Sequence, residues 1–69
     1  MDIKQKVGQS IKELRSIEGI TQMELAARSE LDRTYITSVE NGKRNISIIN
    51  LEKIANSFNL TLEKFFKNI

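Results

Sequence analysis

Apolar residues recur along the chain at spacings of three and four positions, which mark one face of an amphipathic helix. The first such stripe consists of Ile3, Val7, Ile11, Leu14 and Ile17. It predicts a helix over residues 2–18 that ends at Gly19, because glycine readily adopts the left-handed conformation with which many helices end. The sequence lacks the sustained apolar–polar alternation of a half-buried strand.

Four later helix starts share one local pattern: an apolar residue, a capping residue, and a second apolar residue four positions after the cap. The sets are Ile20-Thr21-Leu25, Leu31-Asp32-Ile36, Ile46-Ser47-Leu51 and Leu60-Thr61-Phe65. In each set the capping oxygen accepts from a free backbone N–H, and the apolar pair closes as a hydrophobic staple. Thr21 and Glu24 also fit the reciprocal capping box. These starts predict helices over residues 22–29, 33–41, 48–57 and 62–68.

The predicted fold is therefore all-α, with five helices in a single domain over residues 1–69. The expected core consists of Ile11, Leu14, Leu25, Ile36, Val39, Leu51, Ile54, Phe58 and Phe65.

The outer face of the third predicted helix is polar without being strongly charged. When residues 33–41 are placed on a helix, Ile36 and Val39 point to the core. The opposite side carries Arg33, Thr34, Thr37, Ser38 and Asn41. Threonine and serine are mediocre helix formers, so this local conflict indicates a function. Short polar side chains permit close approach to base edges in the DNA major groove, where arginine pairs with guanine.

A basic segment follows that helix. Lys43, Arg44 and Asn45 come directly after Gly42 and are suited to phosphate contacts beside a groove. A solvated helix followed by a basic turn explains the same pattern, and these residues alone do not separate the two interpretations.

Composition excludes several classes of function. The chain has no His and no Cys, which removes the usual general base, the usual metal ligands and disulfides. It also lacks a Gly-rich phosphate loop, so we expect no enzyme activity, cofactor, metal or small-molecule ligand. The net charge of +2 is compatible with an anionic partner. Without an apolar leader or a long apolar run, we expect a cytoplasmic protein that does not enter a membrane.

Residues 21–45 resemble the helix-turn-helix of the Cro and phage-repressor family, also called the XRE family: they read TQMELAARSELDRTYITSVENGKRN. The resemblance continues through VGQSIKELRSIEG before this stretch and LEKIANSFNLTLEKFF after it. Within the family, DRTYI followed by KRN is most similar to restriction–modification controller proteins. The resemblance implies a lambda-repressor-like domain whose second and third helices form the motif. It also implies a sequence-specific transcriptional regulator of double-stranded DNA, with helix 33–41 in the major groove of a palindromic operator.

The resemblance also assigns roles to residues. The implied base-reading residues are Arg33, Thr34, Thr37, Ser38 and Arg44. The implied phosphate contacts are Gln22, Tyr35, Asn41, Lys43 and Asn45. For Tyr35, an aromatic side chain at the edge of the core is an equally good interpretation. Arg15 and Glu40 match a structural ion pair of the family, and Gly8 falls where family members often carry glycine.

The end of the chain predicts a homodimer, since one recognition helix reads too few base pairs to select a site. Phe65 and Phe66 are adjacent and lie about 100° apart on a helix, so they cannot both face one core. We assign Phe65 to the core, and Phe66 with Leu60 and Ile69 to the dimer interface. A frayed terminus with one exposed Phe is the alternative.

The main competing function is that of an antitoxin or another protein-interaction regulator, because one fold serves several functions. An antitoxin is expected to carry a further segment that covers its toxin. The fifth predicted helix ends close to Ile69, which favours DNA binding.

Overall fold

In the computed structural model, which describes residues 2–67 and 69, the chain folds into five α-helices. They are α1 (Ile3–Glu18), α2 (Gln22–Ser29), α3 (Arg33–Glu40), α4 (Ile48–Ser57) and α5 (Leu62–Phe66). The described residues form no strand, and the all-α prediction is confirmed. The bounds of α2 and α4 agree with the prediction. Helix α3 ends one residue early, and α5 ends at Phe66, while Asn68 at the end of the predicted range lies outside the described residues.

Every helix begins with a side chain that accepts a hydrogen bond from a backbone N–H two or three residues further on. The caps are Asp2, Thr21, Asp32, Ser47 and Thr61. The capping box of Thr21 with Glu24 is present, as predicted. A second box joins Asp2 to Gln5, so Asp2 caps α1 instead of forming its first turn. Because caps are local interactions, the helix starts could be located from short stretches of sequence.

Three of the connections between helices are built alike, and we call each of them a shared turn: a left-handed residue, an apolar residue and a cap. The left-handed residues are Gly19, Glu30 and Asn59, with φ of 67°, 58° and 60°. The apolar residues that follow donate their N–H to the carbonyl five positions earlier, at 2.9 to 3.1 Å. Each apolar residue therefore closes one helix in a Schellman arrangement and also opens the next as half of its staple.

The connection from α3 to α4 is the same turn with three residues inserted. Gly42 is left-handed, with φ of 71°, and the N–H of Lys43 donates to the Ser38 carbonyl at 3.0 Å, which closes α3. Ile46 and Ser47 then open α4. The inserted residues are Lys43, Arg44 and Asn45, so the basic segment forms an exposed loop between two well-closed helix ends.

The predicted core is confirmed at eight positions, and Leu14 is partly buried against it. Val7, Ile20, Ala26 and Ala55 complete the core. The two ends of the α1 stripe lie outside the core, since Ile3 is 59% exposed and Ile17 is 81% exposed. Helix α1 packs mainly against α3, which is half as long, about 12 Å against about 24 Å, so α3 cannot cover the whole apolar stripe of α1.

Gly8 lies where α1 touches the backbone of α3. A Cβ atom at this position would lie 2.5 Å from the Val39 carbonyl oxygen and 2.6 Å from that of Glu40. Contacts this short are not tolerated, so the close approach of the two helices requires glycine here. This contact sets the position of the C-terminal end of α3 relative to α1.

Candidate nucleic-acid interface

Helices α2 and α3, joined by the shared turn at Glu30, present the polar face that the sequence predicts. Arg33, Thr34 and Asn41 are exposed, whereas Thr37 and Ser38 are half-buried. Asp32 caps the start of α3 by accepting from the Thr34 N–H at 2.7 Å. Because Ile36 and Val39 are fixed in the core, the orientation of the polar face is determined by the packing on the opposite side of the same helix.

A buried ion pair joins α1 to the end of α3. Arg15 Nε donates to Glu40 Oε2 at 2.7 Å and Nη2 donates to Oε1 at 2.9 Å, while Nη1 donates to the Ile20 carbonyl at 3.1 Å. The Glu40 side chain is 0% exposed and that of Arg15 is 20% exposed. The hydrogen bond to the Glu40 carboxylate raises the pKa of the Arg15 guanidinium above its ordinary value, so Arg15 stays charged. The structure thus brings together the two residues that the resemblance paired.

Gln22 extends this ion pair toward the polar face. Its Nε2 donates to Glu40 Oε1 at 2.9 Å, and its Oε1 accepts from Thr37 Oγ1 at 2.9 Å. Sequence reasoning did not find this link, because Gln22 and Thr37 are 15 positions apart and neither forms a recognisable motif. Because one Nε2 hydrogen of Gln22 is already bonded to Glu40, a phosphate contact at this residue depends on the second Nε2 hydrogen and on the backbone N–H groups of the first turn of α2.

Tyr35 was interpreted from the sequence either as a phosphate contact or as an aromatic side chain at the edge of the core. Its ring packs against the core, and its hydroxyl accepts from Asn50 Nδ2 at 3.2 Å. The guanidinium of Arg44 lies 4.8 Å from the centre of the ring, a cation–π contact. This contact connects the basic loop to α3 and brings Arg44, a predicted base-reading residue, beside that helix. The hydrogen bond from Asn50 could not be predicted from the sequence, because Asn50 lies 15 positions from Tyr35.

The remaining residues of the loop, Lys43 and Asn45, are exposed. Together with Asn41 at the end of α3, they place polar and positively charged side chains directly after the polar face. An exposed cation next to short hydrogen-bonding groups is the arrangement that allows a protein to hold phosphate while contacting base edges.

Comparison with known proteins decides the family. Residues 11–65 match the helix-turn-helix family. The chain belongs to the helix-turn-helix family. It is 46% identical over 69 residues to the control protein C.MunI of a Mycoplasma species, covering 99% of this chain and 93% of the relative.

Solved structures of helix-turn-helix controllers have the same fold. The restriction–modification controller C.AhdI from Aeromonas hydrophila superposes with a TM-score of 0.86 at 40% identity, covering 91% of this chain and 96% of that one. The controller C.Esp1396I, solved as a tetramer with its natural 35 base-pair operator, gives a TM-score of 0.89 at 39% identity, covering 97% and 88%. The predicted similarity to controller proteins is confirmed, and this helix-turn-helix protein is a DNA-binding transcriptional regulator.

The helix-turn-helix chain also exposes apolar residues away from α3. Phe65 is fully buried, whereas Phe66 and Ile69 are each 41% exposed. Leu60, which sequence reasoning grouped with them, is half-buried against the core, because it closes α4 and opens α5 in a shared turn.

A groove of about 240 Å³ opens beside Phe66. Its apolar lining consists of Ile3, Val7, Val39, Ile46, Ile48, Leu51 and Phe66, with Lys4, Arg44 and Asn45 at its polar positions. Ile3 and Ile48, neither of which was predicted to lie at the dimer interface, are 59% and 62% exposed.

Across residues 2–67 and 69, no helix is both long and apolar enough to cross a membrane. The same residues contain no group of three acidic side chains placed to hold a metal ion.

Proposed function

We propose that the protein is a restriction–modification controller that binds a palindromic operator as a homodimer, with α3 in the major groove. It acts in the cytoplasm, by binding and not by catalysis. The observation that supports this most is the polar face of α3 next to a basic loop, in a fold shared with a controller that was crystallised on its operator.

Base reading is assigned to the side chains that α3 and the loop bring together. Arg33, in the first turn of α3, is exposed and long enough for a guanine edge. Thr34, Thr37 and Ser38 follow along the helix, and Arg44 lies beside Tyr35. The phosphate contacts are Gln22, Tyr35, Asn41, Lys43 and Asn45, and their common task is to fix the register of α3 on the duplex.

The dimer surface is assigned to Phe66 and Ile69, extended across the apolar groove by Ile3 and Ile48. An exposed apolar surface of this kind commonly marks a protein–protein contact. Leu60 contributes at most an edge of this surface, because the core already covers much of its side chain. Two copies joined in this way present two recognition helices to half-sites about one helical turn apart.

Two substitutions separate base reading from phosphate binding. Arg33→Ala should weaken cognate binding by about 1–3 kcal/mol and relax the preference at one position of each half-site. Lys43→Ala should weaken binding to all sequences similarly and reduce the salt dependence by about one phosphate per subunit. The measurement is the affinity for cognate and scrambled duplexes, with the duplex selected from a random library, at several salt concentrations.

The same measurement can reject the assignments. If Arg33→Ala lowers both affinities equally, Arg33 holds phosphate and the base-reading role passes to its neighbours. If neither variant changes DNA affinity, the placement of α3 in the groove is wrong. A protein-interaction regulator of the same fold would then be the better description.

The dimer is tested by sedimentation at micromolar concentration. Phe66→Ala should shift the equilibrium toward monomer, because it removes a large apolar side chain that is exposed in the single chain. The matched control is Ile17→Ala, which removes an exposed apolar side chain outside the groove and should leave the dimer intact. A wild-type monomer that binds its operator singly would rule out the proposed assembly.

A further inference from the structure

The hydroxyl of Thr37 has two protein acceptors for its single hydrogen. Thr37 Oγ1 lies 2.9 Å from Gln22 Oε1 and 3.0 Å from the Arg33 carbonyl oxygen. A hydroxyl offers one O–H donor and two lone pairs. Whichever of the two acceptors takes the hydrogen, it points into the protein, and only the lone pairs of Thr37 are left for a ligand.

The direction of this hydrogen bond is imposed from the buried end of the network. The Glu40 carboxylate, held by Arg15, accepts hydrogen bonds only, so the Gln22 amide must turn its nitrogen toward Glu40. Gln22 Oε1 then faces Thr37, and an amide oxygen can only accept. A fully buried carboxylate thereby fixes the donor and acceptor roles of a side chain on the polar face.

From this polarity we infer that Thr37 recognises a hydrogen-bond donor on the DNA, the amino group of adenine or cytosine in the major groove, and that Gln22 is the positioning residue that imposes this choice. The inference rests on the proposed placement of α3 in that groove. Thymine O4 and guanine O6 and N7 are acceptors, and they would meet the lone pairs of Thr37. A threonine with a free hydroxyl bonds to either kind of edge, whereas this one discriminates between them.

Arg33 supplies the opposite preference one helical turn away. A guanidinium has donors and no acceptor, so Arg33 pairs with the acceptors of guanine. Arg33 and Thr37 are four positions apart and therefore neighbours on one face. The recognition helix thus presents Arg33, which can only donate, and then Thr37, which can only accept. Neither side chain can bind the base edge that the other one selects.

The experiment is selection from a random duplex library with wild type and Thr37→Val, a variant that keeps the branched shape and a methyl group but lacks the hydroxyl. Wild type should select adenine or cytosine at one position of each half-site. Thr37→Val should lose roughly three- to tenfold preference at that position, the worth of one hydrogen bond, and keep the others. Thermal melts check that both proteins are equally folded.

A base analogue gives the matched change on the DNA side. Replacing the selected adenine by purine, or the selected cytosine by pyrimidin-2-one, removes the amino group and nothing else from the major-groove edge. Affinity of the wild type should fall by the same three- to tenfold factor, about the worth of one hydrogen bond, whereas the affinity of Thr37→Val should not change further. Non-additive losses of this kind would show that the amino group of the base and the hydroxyl of Thr37 form one interaction.

Gln22→Met tests the positioning role. It removes one of the two inward acceptors of the Thr37 hydrogen and leaves only the Arg33 carbonyl. The preference for adenine or cytosine over thymine or guanine at that position should therefore be smaller than in wild type. A merely structural role for Gln22 would lower all affinities together and leave the base preference unchanged.

Two results would overturn this inference and leave the proposed function standing. In the first, the base whose selection depends on Thr37 is thymine or guanine. In the second, Thr37→Val selects the same bases as wild type, which would mean that Thr37 contacts the DNA through its methyl group. A wild-type chain that selects no sequence overturns this inference and the proposed function together.

Discussion

Replacing Gly8 with alanine sets two effects of opposite sign against each other. Alanine is favoured over glycine inside a helix by about 1 kcal/mol. The added Cβ, however, would lie 2.5 and 2.6 Å from the carbonyl oxygens of Val39 and Glu40. Because both obstacles are backbone atoms, no change of rotamer relieves the overlap, and α1 and α3 must separate by several tenths of an ångström. Overpacking costs about 1–3 kcal/mol where side chains can adjust, so the upper end applies here. We expect a net loss of about 2 kcal/mol, a large part of the roughly 3–10 kcal/mol that stabilises a domain of this size.

The assay is urea unfolding followed by far-UV circular dichroism. The matched control is Gly19→Ala, because nothing lies within 4 Å of a Cβ at that position while its φ is +67°. It should cost about 1–2 kcal/mol from backbone conformation alone. Gly8→Ala should also lower cognate DNA affinity more than scrambled affinity, since it displaces the end of α3. If Gly8→Ala raises the urea midpoint, the gain in helix propensity exceeds the cost of the overlap. The close approach of α1 and α3 would then be contradicted.

Three further predictions test other parts of the structure. Arg15→Met should lower the free energy of unfolding by about 3–5 kcal/mol, because it leaves the Glu40 carboxylate buried without its partner. Adding Glu40→Met should recover part of that loss in a double-mutant cycle measured by urea unfolding. Strictly additive effects of the two substitutions would contradict the ion pair. Glu30→Gly should stabilise by up to about 1 kcal/mol, because its φ of 58° is strained for a residue with a Cβ, and a lower thermal midpoint would contradict the assigned turn. The Thr21 backbone N–H and hydroxyl lower the pKa of Glu24 below its ordinary value of 4.5. The capping box is therefore fully stabilising above that value and weakens as the pH falls through the lower folded-state pKa, so Glu24→Gln should flatten the acid side of the stability curve.

The parts of the fold that could be predicted from the sequence are those that short-range interactions determine. The caps at Thr21, Asp32, Ser47 and Thr61 act on N–H groups two or three positions away, and the helix starts were placed correctly for that reason. Periodicity identified the buried face of each helix. It could not show how far a neighbouring helix extends, and Ile17 therefore belongs to the apolar stripe of α1 although it is exposed.

Long-range interactions account for what the sequence did not show. The hydrogen bond between Gln22 and Thr37 depends on how α2 and α3 dock, and neither residue carries a local signal of it. Glu30 adopts a left-handed conformation that its residue type does not favour, because the flanking helices impose it. The sequence predicted that Leu60 opens α5, but its second role in closing α4 becomes visible only when both helices are in place.

The repetition of the shared turn limits which changes of length the chain can absorb during evolution. At Ile20, Leu31 and Leu60, one residue both closes a helix and opens the next, so an insertion or deletion there disrupts two helix ends at once. In the connection from α3 to α4 these two tasks fall to different residues, Lys43 and Ile46, and the residues between them perform neither. New side chains, or a longer segment, can be tried there while the scaffold keeps its stability. Changes of sequence and length can thus accumulate in this loop without disrupting either of the two helix ends beside it.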